Sequence, residues 1–299
     1  MSCGGKQSFF NLAHALLNTG DEVIIPAPYW VSYPDMVLLA DATPVIVEAG
    51  IDQGFKVSPE QLEAAITPNT RLVVLNSPSN PTGVAYSKAE LTALAEVLLR
   101  HPQVLIATDD MYGHILWTEE PFANIVMACP ELYERTIVLN GVSKAYSMTG
   151  WRIGYAGGPA WLIGAMKKVQ SQSTSNACSI AQAAAQAALE GPQDCITEMV
   201  TAFKQRHDVL VAALNDLPGF SCLPSDGTFY AFPDVREAMQ ALGSTDDVAF
   251  SETLLTEAGV ALVPGSAFGA PGHVRLSYAT SMDNLTNAVS RISERLRAN

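Results

Sequence analysis

The stretch Ile137–Gly158, IVLNGVSKAYSMTGWRIGYAGG, places one lysine, Lys144, directly after Ser143 in a turn-prone segment. The segment follows an apolar run that reads as a buried strand. Lys144 and Arg152 are the only cations between Arg135 and Lys167, and Tyr146, Met148, Trp151 and Ile153 set large apolar groups around them. A lysine partly desolvated near a second cation loses proton affinity, and its neutral amine attacks carbonyl carbon. The stretch therefore offers Lys144 as a Schiff-base lysine, with the planar fork of Arg152 suited to a phosphate. It reads equally well as a surface lysine on a glycine-rich connector, so the rest of the chain has to decide.

Upstream, short apolar runs alternate with helical patterns. EVIIP reads as a strand followed by APYWVSYP, a loop carrying Tyr29, Trp30 and Tyr33. An aromatic loop at the carboxyl end of a strand can stack on a flat ring, although core packing is an equal reading for Tyr33. RLVVLNSP ends in Ser77-Pro78-Ser79-Asn80-Pro81-Thr82-Gly83, where prolines restrict the backbone and aim the Asn80 amide. VLIATDD ends in Asp109 and Asp110; Asp109 is placed inward with Tyr112 three residues on, and Asp110 is as readily a solvated cap. Ser58 before Pro59 reads as a helix N-cap, and a helical stretch is expected over Phe122 to Met127. At the start of the chain, Gly4-Gly5-Lys6 leads into a helix, an arrangement whose free N–H groups favour an anion.

Five such β/α alternations predict an α/β protein with a mostly parallel sheet covered on both faces. From Ala160 the pattern turns helical. From about residue 200 it becomes mixed, with strands in GTFYAFPDV, VALVPG and HVRLSYA, a helix over Asp247 to Glu257, and a last helix after Ser281. A large domain over 1–199 and a smaller α+β domain over 200–299 are expected.

Composition excludes several classes of function. Among 299 residues, 48% are hydrophobic and 16% charged, which argues against disorder, and no apolar run is long enough to span a bilayer. A net charge of -13 without a Lys/Arg cluster argues against nucleic acid and anionic membranes. The five cysteines, Cys3, Cys129, Cys178, Cys195 and Cys222, lack zinc-site spacing, so no metal is expected; they read as buried free thiols. No secretory signal is read at the start, which makes the cytoplasm the expected location. No nucleophile elbow, Walker loop, dinucleotide fingerprint or zinc-protease helix is found, and the five histidines read as surface or packing residues.

What remains is a lysine, an arginine, a glycine turn, an aromatic, an aspartate with a nearby tyrosine, and an asparagine in NPTG. These match the needs of pyridoxal 5′-phosphate: an amine for its aldehyde, an acid for its ring nitrogen, and cations with N–H groups for its phosphate. With GGKQ, PAPYWVSYP, NSPSNPTG, SKAYSMTGWRIGY and VRLSYATS in order, the chain resembles the class I, fold type I pyridoxal-phosphate aminotransferases, above all the bacterial and plastid type that includes aspartate/prephenate aminotransferases. The resemblance implies that Lys144 is catalytic and carries the cofactor. It implies that Asp109 meets the ring nitrogen, that Tyr112 and Asn80 meet the ring oxygen, that Trp30 stacks on the ring, and that Gly5, Lys6 and Arg152 hold the phosphate. Arg275 would clamp the substrate α-carboxylate beside Trp30 and Asn80, and Lys6 would serve a distal carboxylate; Arg275 also reads as a solvated strand-edge charge. The implied activity moves the amino group of aspartate to 2-oxoglutarate in a homodimer. The resemblance also implies a further segment before GGKQ, which leaves a non-catalytic chain that only dimerises as an alternative, beside a prephenate-specific transaminase or a fold-related lyase.

Overall fold

The structure, a computed structural model, describes residues 1–298. Helix α1 (Gly5–Leu16) precedes β1 (Glu22–Ala27), α2 (Ser32–Leu38), β2 (Thr43–Glu48), α3 (Pro59–Ala65), β3 (Thr70–Asn76), α4 (Lys88–Arg100) and β4 (Leu105–Asp109). Then follow α5 (Ile125–Ala128), β5 (Thr136–Gly141), β6 (Gly154–Gly157), α6 (Ala160–Ser171), α7 (Ser179–Glu190) and α8 (Asp194–Asn215). The remainder is β7 (Tyr230–Ala231), α9 (Arg236–Ala241), α10 (Asp247–Glu257), β8 (Val263–Pro264), β9 (Val274–Ser277) and α11 (Met282–Arg297).

The first six strands form one sheet in the order β2-β1-β3-β4-β5-β6, parallel throughout except for β6. Alternation along the strands divides their apolar side chains between two cores. Val23, Ile25, Leu72 and Val74 pack beneath Leu12 of α1, Val37 of α2 and Leu162 of α6. Ile24, Val73, Leu75 and Ile106 pack on the other face beneath Leu62 of α3 and Leu91, Leu94 and Leu98 of α4. Ser58 and Ser87 each close a reciprocal capping box on α3 and α4. Among the described residues no helix is long and apolar enough to cross a membrane.

The second sheet, β7-β9-β8, is antiparallel and lies under α8, α10 and α11 through Phe203, Leu214, Phe250, Leu254 and Ile292. Tyr112 and Ile115, from the stretch after β4, enter this same core. Helix α8 carries the chain across residue 200 without a break. The stretch before β7 is tied to the large sheet's loops. Asp226 Oδ2 accepts from the Ala85 N–H at 2.8 Å, and the Gly227 N–H donates to Gly83 O at 2.9 Å. Gly83 has φ +74°, and a Cβ there would stand 2.7 Å from Gly227 O, so the close approach requires glycine.

Several expectations need correction. The strand read in GTFYAFPDV shrinks to two residues, because Pro233 has no N–H for a ladder, and pairing continues there as the single bridges Ser221–Asp234 and Asp234–His273; the strand read in VALVPG shrinks to Val263–Pro264. Helix α5 begins only at Ile125, where Asn124 Oδ1 accepts from the Met127 N–H at 3.0 Å. Strand β6 and helix α9 were not anticipated, being short and weakly patterned. Of the cysteines only Cys129 and Cys222 are buried; Cys178 and Cys195 are exposed at the starts of α7 and α8, and Cys3 is intermediate.

Candidate active site

In the large sheet the strand order reverses at β1, and ligands of open α/β sheets bind beyond the carboxyl ends of strands near such a reversal. A cavity of about 340 Å³ lies there. Gly5, Lys6, Trp30, Asn80, Asp109, Tyr112, Lys144, Arg152 and Arg275 all line it. Trp30 follows β1, Asn80 follows β3, Asp109 ends β4 and Lys144 follows β5, while Arg275 arrives from β9 of the other sheet. The lining holds four cations, Lys6, Lys144, Arg152 and Arg275, against the single carboxylate of Asp109, so the cavity suits an anion within a chain of net charge -13.

Lys144 is half-buried and has no ion-pair partner among the described residues. Its Nζ stands 5.3 Å from the Phe229 ring centroid and 5.9 Å from that of Tyr112. Burial, then the Arg275 and Arg152 charges, lower its pKa from the ordinary lysine value. The desolvating rings are thus not those expected from the local sequence: Trp151 is exposed, and Phe229 comes from the approach to β7.

Arg275 is held on three sides without a counter-charge. Its Nη1 donates to Asn80 Oδ1 at 2.8 Å, and its Cζ lies 4.6 Å from the Tyr230 ring centroid and 4.8 Å from that of Phe268. Its buried Nε has no hydrogen-bond partner. This is not a solvated edge charge, and its planar fork has the chemistry to take a carboxylate. At the other end, α1 begins without a side-chain cap, and Arg152 lies across Gly4 so closely that a Cβ there would stand 2.2 Å from Nη2. Gly4 at φ +90° therefore admits the guanidinium beside the helix N-terminus, which makes a cup for a phosphate. Lys6 is exposed, with Nζ 5.2 Å from the Trp30 ring centroid.

Asn76 and Tyr230 were not legible as functional, and Tyr33, read for stacking or packing, instead supports Asp109. The Tyr33 hydroxyl donates to Asp109 Oδ2 at 2.5 Å, and the Met111 N–H donates to Oδ1 at 3.2 Å. These two bonds orient the carboxylate, whose pKa burial raises from the ordinary aspartate value against their opposing effect. Asn76 Nδ2 donates to the Asp109 carbonyl at 2.9 Å while its Oδ1 accepts from the Asn80 N–H at 2.9 Å, which couples β4 to the NPTG turn. The Tyr112 hydroxyl meets the Tyr230 hydroxyl at 2.9 Å. A buried tyrosine on a strand or helix needs a partner for its hydroxyl, and that need was the one signal available for Tyr33 and Tyr230.

The residues fit pyridoxal 5′-phosphate: an unpaired half-buried amine, a cavity-facing acid at a sheet edge, and a capless helix start under a guanidinium. The comparisons agree. The model of the family "Aminotransferase class I and II" matches residues 1–292. An aspartate/prephenate aminotransferase of Nitrosomonas europaea is 60% identical, with 99% of this chain and 76% of that protein covered. An aspartate aminotransferase of Geobacillus stearothermophilus is 52% identical over 99% of this chain and 75% of that one. The crystal structure of the Rhizobium meliloti aspartate aminotransferase superposes with a TM-score of 0.95 at 48% identity, covering 99% of this chain and 75% of that one. The chain belongs to the class I and II aminotransferases, and so is a transaminase of α/β fold. It spans about three-quarters of the length of these relatives.

Asp110, which read as readily as a solvated cap, is instead buried at 3% exposure. Thr108 Oγ1 donates to its Oδ1 at 2.6 Å and Asn124 Nδ2 to its Oδ2 at 2.7 Å. Burial nevertheless raises its pKa from 3.8 to about 7, with the Asp109 charge adding to the rise. Because the folded pKa lies above the unfolded one, the stabilisation is complete below the unfolded value and is lost as pH rises through the folded one. Between about pH 4 and pH 7 the wild type should therefore lose stability relative to Asp110→Asn by on the order of 4 kcal/mol. Denaturant unfolding of both proteins across that range measures it, and parallel pH profiles would refute it.

Proposed function

We propose that this chain transfers the amino group of aspartate to 2-oxoglutarate with pyridoxal 5′-phosphate. The observation that carries this reading is Arg275, a half-buried arginine with no carboxylate partner among the described residues, in one cavity with an unpaired Lys144. When bound, the cofactor supplies an aldehyde that condenses with amines and a protonated ring that accepts the electron pair left as a Cα proton departs. Asp109, fixed by Tyr33, would hold the proton on the ring nitrogen. The start of α1 at Gly5, with Arg152, would hold the phosphate, and Trp30 would cover the ring. Tyr112 and Asn80 would bond the ring oxygen.

Arg275 would bind the α-carboxylate and set Cα near Lys144. Lys144, whose proton affinity its surroundings have lowered, would take the Cα proton of the bound amino acid and return it in the reverse half-reaction. Lys6, exposed beside Trp30, would meet the distal carboxylate of a dicarboxylic substrate. The names of the Nitrosomonas europaea relative and of a Cereibacter sphaeroides relative at 56% identity favour prephenate as a second amino acceptor. We place the large cofactor-binding domain at 1–199 and the small domain at 200–299, and we read the enzyme as a cytoplasmic homodimer. Exposed Trp151 and Ile180, at 47% and 72%, support a second copy, and a monomeric mass in sedimentation would refute the dimer.

Borohydride reduction of protein loaded with pyridoxal 5′-phosphate should leave one covalent adduct, on the peptide containing Lys144. Lys144→Ala should form none there and lose aspartate–oxoglutarate exchange by at least about 10³-fold. An adduct on another lysine, or none, refutes the assignment. Arg275→Ala should lower kcat/KM for every amino acid by roughly 30-fold or more, whereas Lys6→Met should lower it about tenfold for aspartate and leave alanine unaffected. Equal loss for both substrates in Lys6→Met would remove Lys6 from side-chain recognition.

A further inference from the structure

Tyr230 is 5% exposed, lies on β7 and lines the cavity, yet no role in the reaction has been given to it. It touches two proposed functional groups with different parts of one side chain. Its ring centroid lies 4.6 Å from Arg275 Cζ, and that of Phe268 lies 4.8 Å away, so the guanidinium rests against two rings. Its hydroxyl meets that of Tyr112 at 2.9 Å, with the two rings at 73°. Tyr230 pairs with Ser277 on β9, two residues beyond Arg275, so the backbone ladder holds ring and guanidinium together.

A phenol has one proton to donate. If Tyr112 spent its proton on Tyr230, it could only accept from whatever occupies the cavity. If Tyr230 donates instead, the Tyr112 proton is free to point into the cavity at an anionic oxygen, and the chain of two hydroxyls is polarised in that direction. The ring meanwhile supports the guanidinium by a cation–π contact in a half-buried setting and leaves free those N–H groups of the fork that Asn80 does not take. We propose that Tyr230 is a positioning residue that serves both ends of the reaction, its hydroxyl aiming the Tyr112 proton at the cofactor's ring oxygen and its ring holding Arg275 flat for a substrate carboxylate. The proposal rests on the functional reading given above. It predicts that the two duties separate by substitution.

Tyr230→Phe keeps the ring and loses the donor; Tyr230→Leu loses both. In protein loaded with pyridoxal 5′-phosphate, the visible spectrum reports both duties, through its pH midpoint and through its response to succinate as a non-reacting dicarboxylate. Tyr230→Phe should move the midpoint up by about 0.3–1 pH unit, because a weakened donor to an anionic oxygen raises the proton affinity of the group conjugated to it. Its Kd for succinate should stay within about twofold of wild type. Tyr230→Leu should move the midpoint and also raise that Kd by about fivefold or more, the size of a buried cation–π contact. Phe268→Leu, which removes the second ring, should raise the Kd without moving the midpoint, and it keeps the ring prediction testable if Tyr230→Leu fails to fold. In a Tyr112→Phe background, Tyr230→Phe should add no further shift, a result that general loosening of the core would not give. If the wild type binds cofactor and succinate while Tyr230→Phe leaves the midpoint in place, the Tyr230 assignment alone is overturned. If the wild type binds neither, the reading of the whole cavity falls and this assignment with it.

Discussion

Parallel pairing of β3, β4 and β5 is the constraint on which the site depends. In a parallel sheet every strand ends on the same edge, and the register here sets Asn76 opposite Asp109 and Asp109 opposite Leu139. The asparagine that braces the NPTG turn, the acid that Tyr33 orients and the strand that delivers Lys144 are therefore neighbours by hydrogen-bond geometry alone. No side-chain interaction is needed to assemble them. The helices between the strands bury the apolar halves of the sheet and hold this edge rigid, and rigidity is what a polar constellation requires if its distances are to persist.

Electrostatics then work against the fold in a way that points to a ligand. Lys144 and Arg275 line a cavity together with Tyr112 and Tyr230, the Phe229 and Phe268 rings lie close to one cation each, and neither cation has a carboxylate partner among the described residues. Partly burying a cation without its partner costs free energy. Ring faces, one amide and residual solvent offset a part of that cost; a bound dianion and a carboxylate would offset far more. The acidic surface elsewhere makes the contrast sharper, since an anion entering this cavity leaves a negative exterior for a positive interior.

Strand ends and turns were legible because they are written in local pattern: apolar runs of strand length, prolines around Asn80, glycines before a helix. Those signals marked the strand ends, the family resemblance supplied roles such as that of Arg275, and all nine residues so named line one cavity. What was hidden depended on contacts between distant segments. Tyr33 meets Asp109 across 76 positions, and Tyr112 meets Tyr230 across 118. The source of Lys144 desolvation was misread for the same reason, since Trp151 is near in sequence and turns outward, whereas Phe229 is far in sequence and packs close. The fate of Asp110 was equally invisible, because one of the partners that hold it inward, Asn124, lies 14 positions away.

The bond from Arg275 to Asn80 joins the antiparallel sheet to a loop of the parallel one, and the ties of Asp226 and Gly227 to Ala85 and Gly83 fasten the same seam. A carboxylate gripped by Arg275 and Asn80 would be a third fastening between the two sheets. Whatever free energy it contributed would appear once as affinity and again as resistance to prying the sheets apart. In this molecule, recognition of a small anion at Arg275 would draw on the same contacts that give the fold its mechanical cohesion.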